Sequence, residues 1–201
     1  MKLKTISLIA LLVLLAAGAG VATSLRSHRN SYPAYTLRSR VTEFDEKGDK
    51  HTSERILYVA SSGNYRMLHI RDGRKREDFF ERGRGFFSVN FKDKKLVRHT
   101  NASTEMPPVR TKEDLLNGPQ YNRTETLMGL TVYVRRIVDA PSGQMTEGYD
   151  APELGVFPLK TVNYDPQGKP YLALEPISLT FGEPDPSLVK GPDFPAEDET
   201  R

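Results

Sequence analysis

The sequence predicts a mainly β fold: a curved antiparallel sheet forming an open half-barrel, with about one short helix. Three observations lead there. Residues 35–100 divide into six short runs of strand character, most of them joined by tight turns. Only residues 112–116 read as a helix in the chain beyond its first 25 residues. Two of the strands are apolar on both sides, and an antiparallel strand of that kind must be covered on both.

The first run, residues 35–44, alternates, with Tyr35, Leu37, Ser39, Val41 and Glu43 on one side. Asp45-Glu46-Lys47-Gly48 is a hairpin turn into residues 50–60. Ser62-Gly63-Asn64 turns into 65–70, and Asp72-Gly73 into 75–81. Gly83 and Gly85 punctuate the entry to 86–90, and Lys92-Asp93-Lys94 leads to 96–100, which completes an antiparallel meander. A polar loop with Pro107-Pro108 follows. Thr111 is placed as the N-cap of the helix, and Gly118-Pro119 stops it. Strands resume at 123–128 and 130–138, and Ala140-Pro141-Ser142-Gly143 turns into 144–149. Residues 159–164, the turn Asp165-Pro166-Gln167-Gly168 and residues 171–181 close the domain, read as 35–181. Residues 182–201 carry four prolines and six acids and read as an extended tail, frayed at its acidic end.

The two strands that break simple alternation are the most informative for function. Ile56-Leu57-Tyr58-Val59-Ala60 is apolar on both sides, and Tyr65, Met67 and His69 oppose Leu68 and Ile70. With a single short helix available, either the sheet curls on itself or one face lines an apolar cavity that a ligand can enter. Loops and the tail covering the second face would satisfy the same pattern.

The chain opens with Lys2 and Lys4, then an uncharged run from Thr5 to Leu25 that ends in Ala17-Gly18-Ala19-Gly20-Val21-Ala22. This reads as an export signal over residues 1–22, cut after Ala22 or Ala19, with a polar lead over 23–34. An uncleaved membrane anchor is the alternative, since the run is just long enough to span. Gly18 and Gly20 weaken it as a helix, and Arg26 and Arg29 blunt the charge asymmetry that orients an anchor. The expected location is the periplasm or cell envelope. With no Cys there is no lipoprotein signal, disulfide or thiolate metal site.

Removing Lys2 and Lys4 lowers the net charge from +3 to +1, a balance that argues against nucleic acid as a partner. The charge is unevenly placed. Residues 66–98 hold eleven Lys/Arg against five acids, and residues 183–201 hold six acids against two bases. Pairing of the two with each other, a basic stretch facing anionic head groups, and solvated strand faces would all carry these charges. His28, His51, His69 and His99 show no metal-ligand spacing, and no nucleophile elbow or phosphate loop is present. No cofactor and no enzymatic activity are expected. Glu77, Asp78 and Glu81 read as salt-bridge partners rather than an acid–base pair.

Three segments carry a resemblance: Glu125-Thr126-Leu127-Met128-Gly129-Leu130-Thr131-Val132-Tyr133-Val134, Gly148-Tyr149-Asp150-Ala151-Pro152-Glu153-Leu154-Gly155, and Gly182-Glu183-Pro184-Asp185-Pro186-Ser187-Leu188-Val189. With the strand-rich first half, the chain resembles bacterial envelope proteins of the outer-membrane lipoprotein carrier (LolA/LolB-like) superfamily, closest to its uncharacterised members. The resemblance implies a half-barrel whose concave face is apolar and, in the carrier branch, holds lipoprotein acyl chains. Carriers cover that face with several helices, where this chain offers one. The expected function is binding of a lipid, acyl chain or lipidated protein near the membrane by a monomer. The alternative is a regulatory or scaffolding module that binds a protein through a sheet edge or the tail. The residues expected to line the concave face are Leu57, Val59, Leu68, Ile70, Val132 and Val134, with Arg66, Arg71, Arg82 and Arg84 contacting a head group.

Overall fold

Local turn chemistry builds most of the sheet. Asp72 and Gly73 both take the left-handed conformation (φ 49° and 71°) and reverse the chain in two residues, as do Met128 and Gly129 (φ 52° and 79°). Turns of this kind match the twist of the strands they join. Asp45 and Asp165 each cap a longer turn, accepting backbone N–H bonds from Lys47 and Asp49, and from Gln167 and Lys169. The computed structural model describes residues 31–45 and 47–199. The expected signal or anchor over residues 1–22 and most of the polar lead lie outside the described residues.

These turns link β1 (Tyr35–Phe44), β2 (Lys50–Val59), β3 (Tyr65–Arg71), β4 (Arg74–Glu81), β5 (Gly85–Asn90) and β6 (Lys95–Arg98). A long connection carries α1 (Lys112–Leu116), where Thr111 and Asp114 form a capping box and Leu115 is the buried residue. Then follow β7 (Tyr121–Leu127), β8 (Leu130–Val138), β9 (Met145–Asp150), a 3₁₀ turn (Pro152–Leu154), β10 (Lys160–Tyr164) and β11 (Pro170–Phe181). The chain ends in α2 (Pro186–Val189) and β12 (Ala196–Asp198).

All twelve strands form one open sheet in the order β12-β6-β5-β4-β3-β2-β1-β11-β10-β9-β8-β7. Every pairing is antiparallel except that of β12 with β6. The two meanders meet where β1 pairs with the last long strand, β11, and a bulge lies opposite Arg38 and Ser39. The fold is thus the mainly β open sheet expected from the sequence.

Cross-strand register places Tyr35, Leu37, Leu57, Val59, Tyr65, Met67, Phe80 and Phe86 on one face of β1–β5. All are buried in the main core cluster, with Met106, Ala102 and Phe157 from the long connections packed against them. Tyr65 stacks on Phe80 (5.4 Å, 8°) and meets Phe157 edge-on (4.9 Å, 77°). The covering segments are connections rather than strands, and the β9–β10 connection adds Ala151, Leu154 and Leu159.

The tail departs from expectation. Asp185 caps α2 by accepting from the Ser187 N–H at 2.8 Å, adding a second short helix to the one read from sequence. Beyond it, the chain crosses the opposite face of the sheet. Phe79 and Phe87 stack there at 5.0 Å, and Phe194 packs on them and Leu96. Gly191 lies so close that a Cβ would sit 2.3 Å from the Phe79 ring, so glycine is required by space alone. The end is not frayed in this structure but forms β12. Arg98 pairs with Asp198 at 2.7 Å, Lys95 with Glu197, and His99 with Glu199 at 3.0 Å, so part of the basic stretch is taken up by the acidic tail.

Candidate functional site

The six residues expected to line an apolar face do not share one. Leu57 and Val59 are on the covered face described above, and register puts Leu68 and Ile70 on the other. Followed through β11, β10 and β9, the register also places Val132 and Val134 on the side opposite Leu57. Leu57, Val59, Val132 and Val134 still belong to one buried cluster, to which the β9–β10 connection supplies Ala151, Leu154 and Leu159. Leu68 is buried outside it, and Ile70 is 36% exposed.

The four arginines expected at a head group are each engaged with a carboxylate. Arg66 pairs with buried Glu77 and donates to the Ser187 and Lys190 carbonyls of the tail. Arg71 holds Glu43 at 2.9 Å, Arg82 holds Glu105 at 3.1 Å, and Arg84 holds Glu81 at 2.6 Å. Arg71 stands at the far end of β3 from Arg66, so the four form no single patch.

Two ionic networks occupy the β7–β10 half. Asp150, 1% exposed, accepts from Arg110 at 2.6 Å and from Arg135. Arg110 also donates to the Val156 carbonyl, which ties the covering segments to β9. Burial lowers the Arg110 pKa, and the Asp150 charge opposes that. On the other face, Glu147 accepts from Arg123, Arg136 and the hydroxyls of Tyr149 and Tyr164. Burial pushes the Glu147 pKa up, but the two guanidinium hydrogen bonds outweigh it and bring it down to about 2. Burial also raises Tyr149, to about 12.

A folded-state value below the unfolded one, about 4.3, stabilises the protein above that pH and is lost as pH falls towards 2. Glu147→Gln is therefore expected to lower the urea midpoint at pH 7. The gap from wild type should narrow at pH 4 and nearly close at pH 2; a constant gap would show that the charge is not the cause.

A third polar group differs from these in having no carboxylate. Ser39, Arg55 and His69 are directly opposite one another on β1, β2 and β3, on the same face as the apolar cluster. Tyr35 and Ser39 are 0% exposed, while Arg55 and His69 are partly buried. The Tyr35 hydroxyl, Ser39 Oγ, Arg55 Nε and His69 Nε2 are all buried atoms without a hydrogen-bond partner among the described residues. Nothing in the sequence marked this row, because parity alone makes Arg55 and His69 look like polar interruptions of an amphipathic face. Among the described residues, no group of three or more His, Asp and Glu could hold a metal.

No family model and no curated protein matches the chain. Among solved structures, MucB in complex with MucA(peri) matches with TM-score 0.51 at 15% identity, covering 93% of this chain and 60% of that one. The Pseudomonas aeruginosa MucA/MucB complex matches over 79% of this chain and 56% of that one (TM-score 0.47, 16% identity). A LolA superfamily protein from Nitrosomonas europaea matches over 79% and 90% (TM-score 0.38, 10% identity). The chain thus spans about 60% of the length of the MucB chain it matches, and the assignment rests on that match. Among the described residues, the open, mostly antiparallel sheet with two short helices has the fold seen in MucB.

Proposed function

We propose that this chain is an exported, non-catalytic binding protein of the bacterial cell envelope that seats an acyl chain of a lipid or lipidated protein. The site is the face bearing Leu57 and Val59, beneath the irregular segments that cross it. The observation that carries this reading is the nature of that cover. An aromatic and aliphatic cluster spanning five strands is closed by side chains of the connecting segments, among them Met106, Leu154, Phe157 and Leu159, rather than by a second sheet or long helix of the described residues. Connecting segments of this kind, without strand pairing of their own, open at lower free energy than core strands do. An alkyl chain taking their place gains about 0.8 kcal/mol per buried CH₂. The signal-like start of the sequence supports export.

Native mass spectrometry of the full chain purified from the periplasm of an expression host tests this. The expected result is an adduct that solvent extraction identifies as phospholipid or fatty acid. A clean apo mass that takes up no added palmitate overturns the reading.

One observation favours a second reading. β7 ends the sheet, its outer edge is unpaired among the described residues, and most of it is exposed. An extended segment of a partner protein could add there as a strand. MucB, whose fold this chain shares, was solved in complex with MucA(peri). Thr126→Pro, on an edge strand, should then abolish capture of such a partner while leaving lipid uptake intact.

A further inference from the structure

Burying a guanidinium without a counter-charge is costly, and buried polar atoms in folded proteins are nearly all satisfied. Asp150 takes up Arg110 and Arg135, Glu147 takes up Arg123 and Arg136, and Glu77 takes up Arg66. Arg55, by contrast, faces no carboxylate of the described residues. The nearest acid on its face, Asp78, is held by Arg76 at 3.3 Å and by the Ser88 hydroxyl at 2.6 Å. Residues 1–30 contain no acid, and Glu46, in the β1–β2 turn of the sequence, is the one acidic side chain outside the described residues.

Beside Arg55 stand three further orphaned atoms, on Tyr35, Ser39 and His69. Arg55, both hydroxyls and one imidazole nitrogen can all donate a hydrogen bond, and they flank a cation. A set of donors around an unpaired guanidinium fits a group that only accepts. Arg55 is buried at Nε, although the residue as a whole is only partly buried.

We propose that Tyr35, Ser39, Arg55 and His69 form an oxyanion-binding site that takes a carboxylate or phosphate group. As the seat of an amphiphile's head group it rests on the acyl-binding reading above; as an anion site it stands without it. The apolar residues one and two rows along the same strands, Leu37, Leu57 and Val59, would then meet the alkyl chain while Arg55 meets its charged end. In the free protein, burial and the Arg55 charge hold the His69 pKa down at about 4, and Asp78 only partly offsets them, with Arg76 adding to the depression. Burial likewise brings Arg55 down to about 10. A bound anion reverses both tendencies.

The test is an NMR titration of the His69 ring Cε1–H in the full chain with three probes: inorganic phosphate, palmitate and hexadecanol. Phosphate is expected to shift the signal saturably and to raise the His69 pKa. Arg55→Gln should abolish the response, Arg55→Lys should restore part of it, and Tyr35→Phe, which removes one hydroxyl, should weaken it about tenfold. Palmitate shifting His69 while hexadecanol does not identifies a lipid head group as the source. Phosphate shifting it without palmitate uptake leaves the anion site standing and sinks the acyl reading. Palmitate retained in native mass spectra with His69 unmoved by every anion overturns the anion site and leaves the acyl reading intact. An equal phosphate response in folded Arg55→Gln overturns it too.

Discussion

Asp150→Ala is expected to destabilise the protein by about 3–5 kcal/mol, the usual cost of removing one partner from a buried ion pair. The carboxylate is almost fully buried and receives two guanidinium groups, so its loss leaves Arg110 and Arg135 facing each other with no opposing charge. The second consequence is local. Arg110 belongs to the long connection over the apolar face, and its bonds to Asp150 and the Val156 carbonyl fasten that cover to the end of β9. Hydrogen exchange over residues 100–119 should therefore accelerate beyond the global change. Urea unfolding measures the first effect, and a loss below 1 kcal/mol would mean the pair contributes no more than a surface bridge does.

Tyr65→Ala should cost a comparable amount, about 3–5 kcal/mol, by leaving a cavity where a buried aromatic ring stood. Tyr65 joins three parts of the molecule. It stacks on Phe80 of β4, tilts against Phe86 of β5 at 6.4 Å, and receives the edge of Phe157 from the β9–β10 connection. Losing it removes both core packing and the contact that holds Phe157 down. Tyr65→Phe keeps the ring and should stay within about 1.5 kcal/mol of wild type, as volume-conserving swaps do. If the alanine variant unfolds at the wild-type urea midpoint, the covering segment carries its own stability and the proposed opening is wrong.

The strand series was legible because its signals are local. Asp72-Gly73 sits at left-handed backbone positions that only a few residue types adopt easily, and alternation in β1 follows directly from the pleat. α1 was legible for the same reason, through Thr111 and its capping box. The tail was not. Its prolines and acids read as unfolded, but Phe194 and Gly191 pack on the Phe79–Phe87 pair, and Asp198 finds Arg98 a hundred residues earlier.

The lining residues show the same limit. Parity within a strand says that Leu57 and Leu68 lie on particular sides of their own strands, but only pairing register relates one strand's sides to another's. The bulge in β11 opposite Ser39 shifts that relation between the two halves, so Val132 and Leu57 fall on opposite faces of one continuous sheet. The sequence by itself thus determined the fold class, the order of the first eleven strands and the helix after Thr111, all set by neighbours a few residues apart. Which apolar residues meet, where the tail docks, and that Arg55 stands beside Tyr35, Ser39 and His69 without a counter-charge were decided only by the tertiary structure. Those depend on register between strands and on charges brought together from distant parts of the chain, which no local pattern encodes.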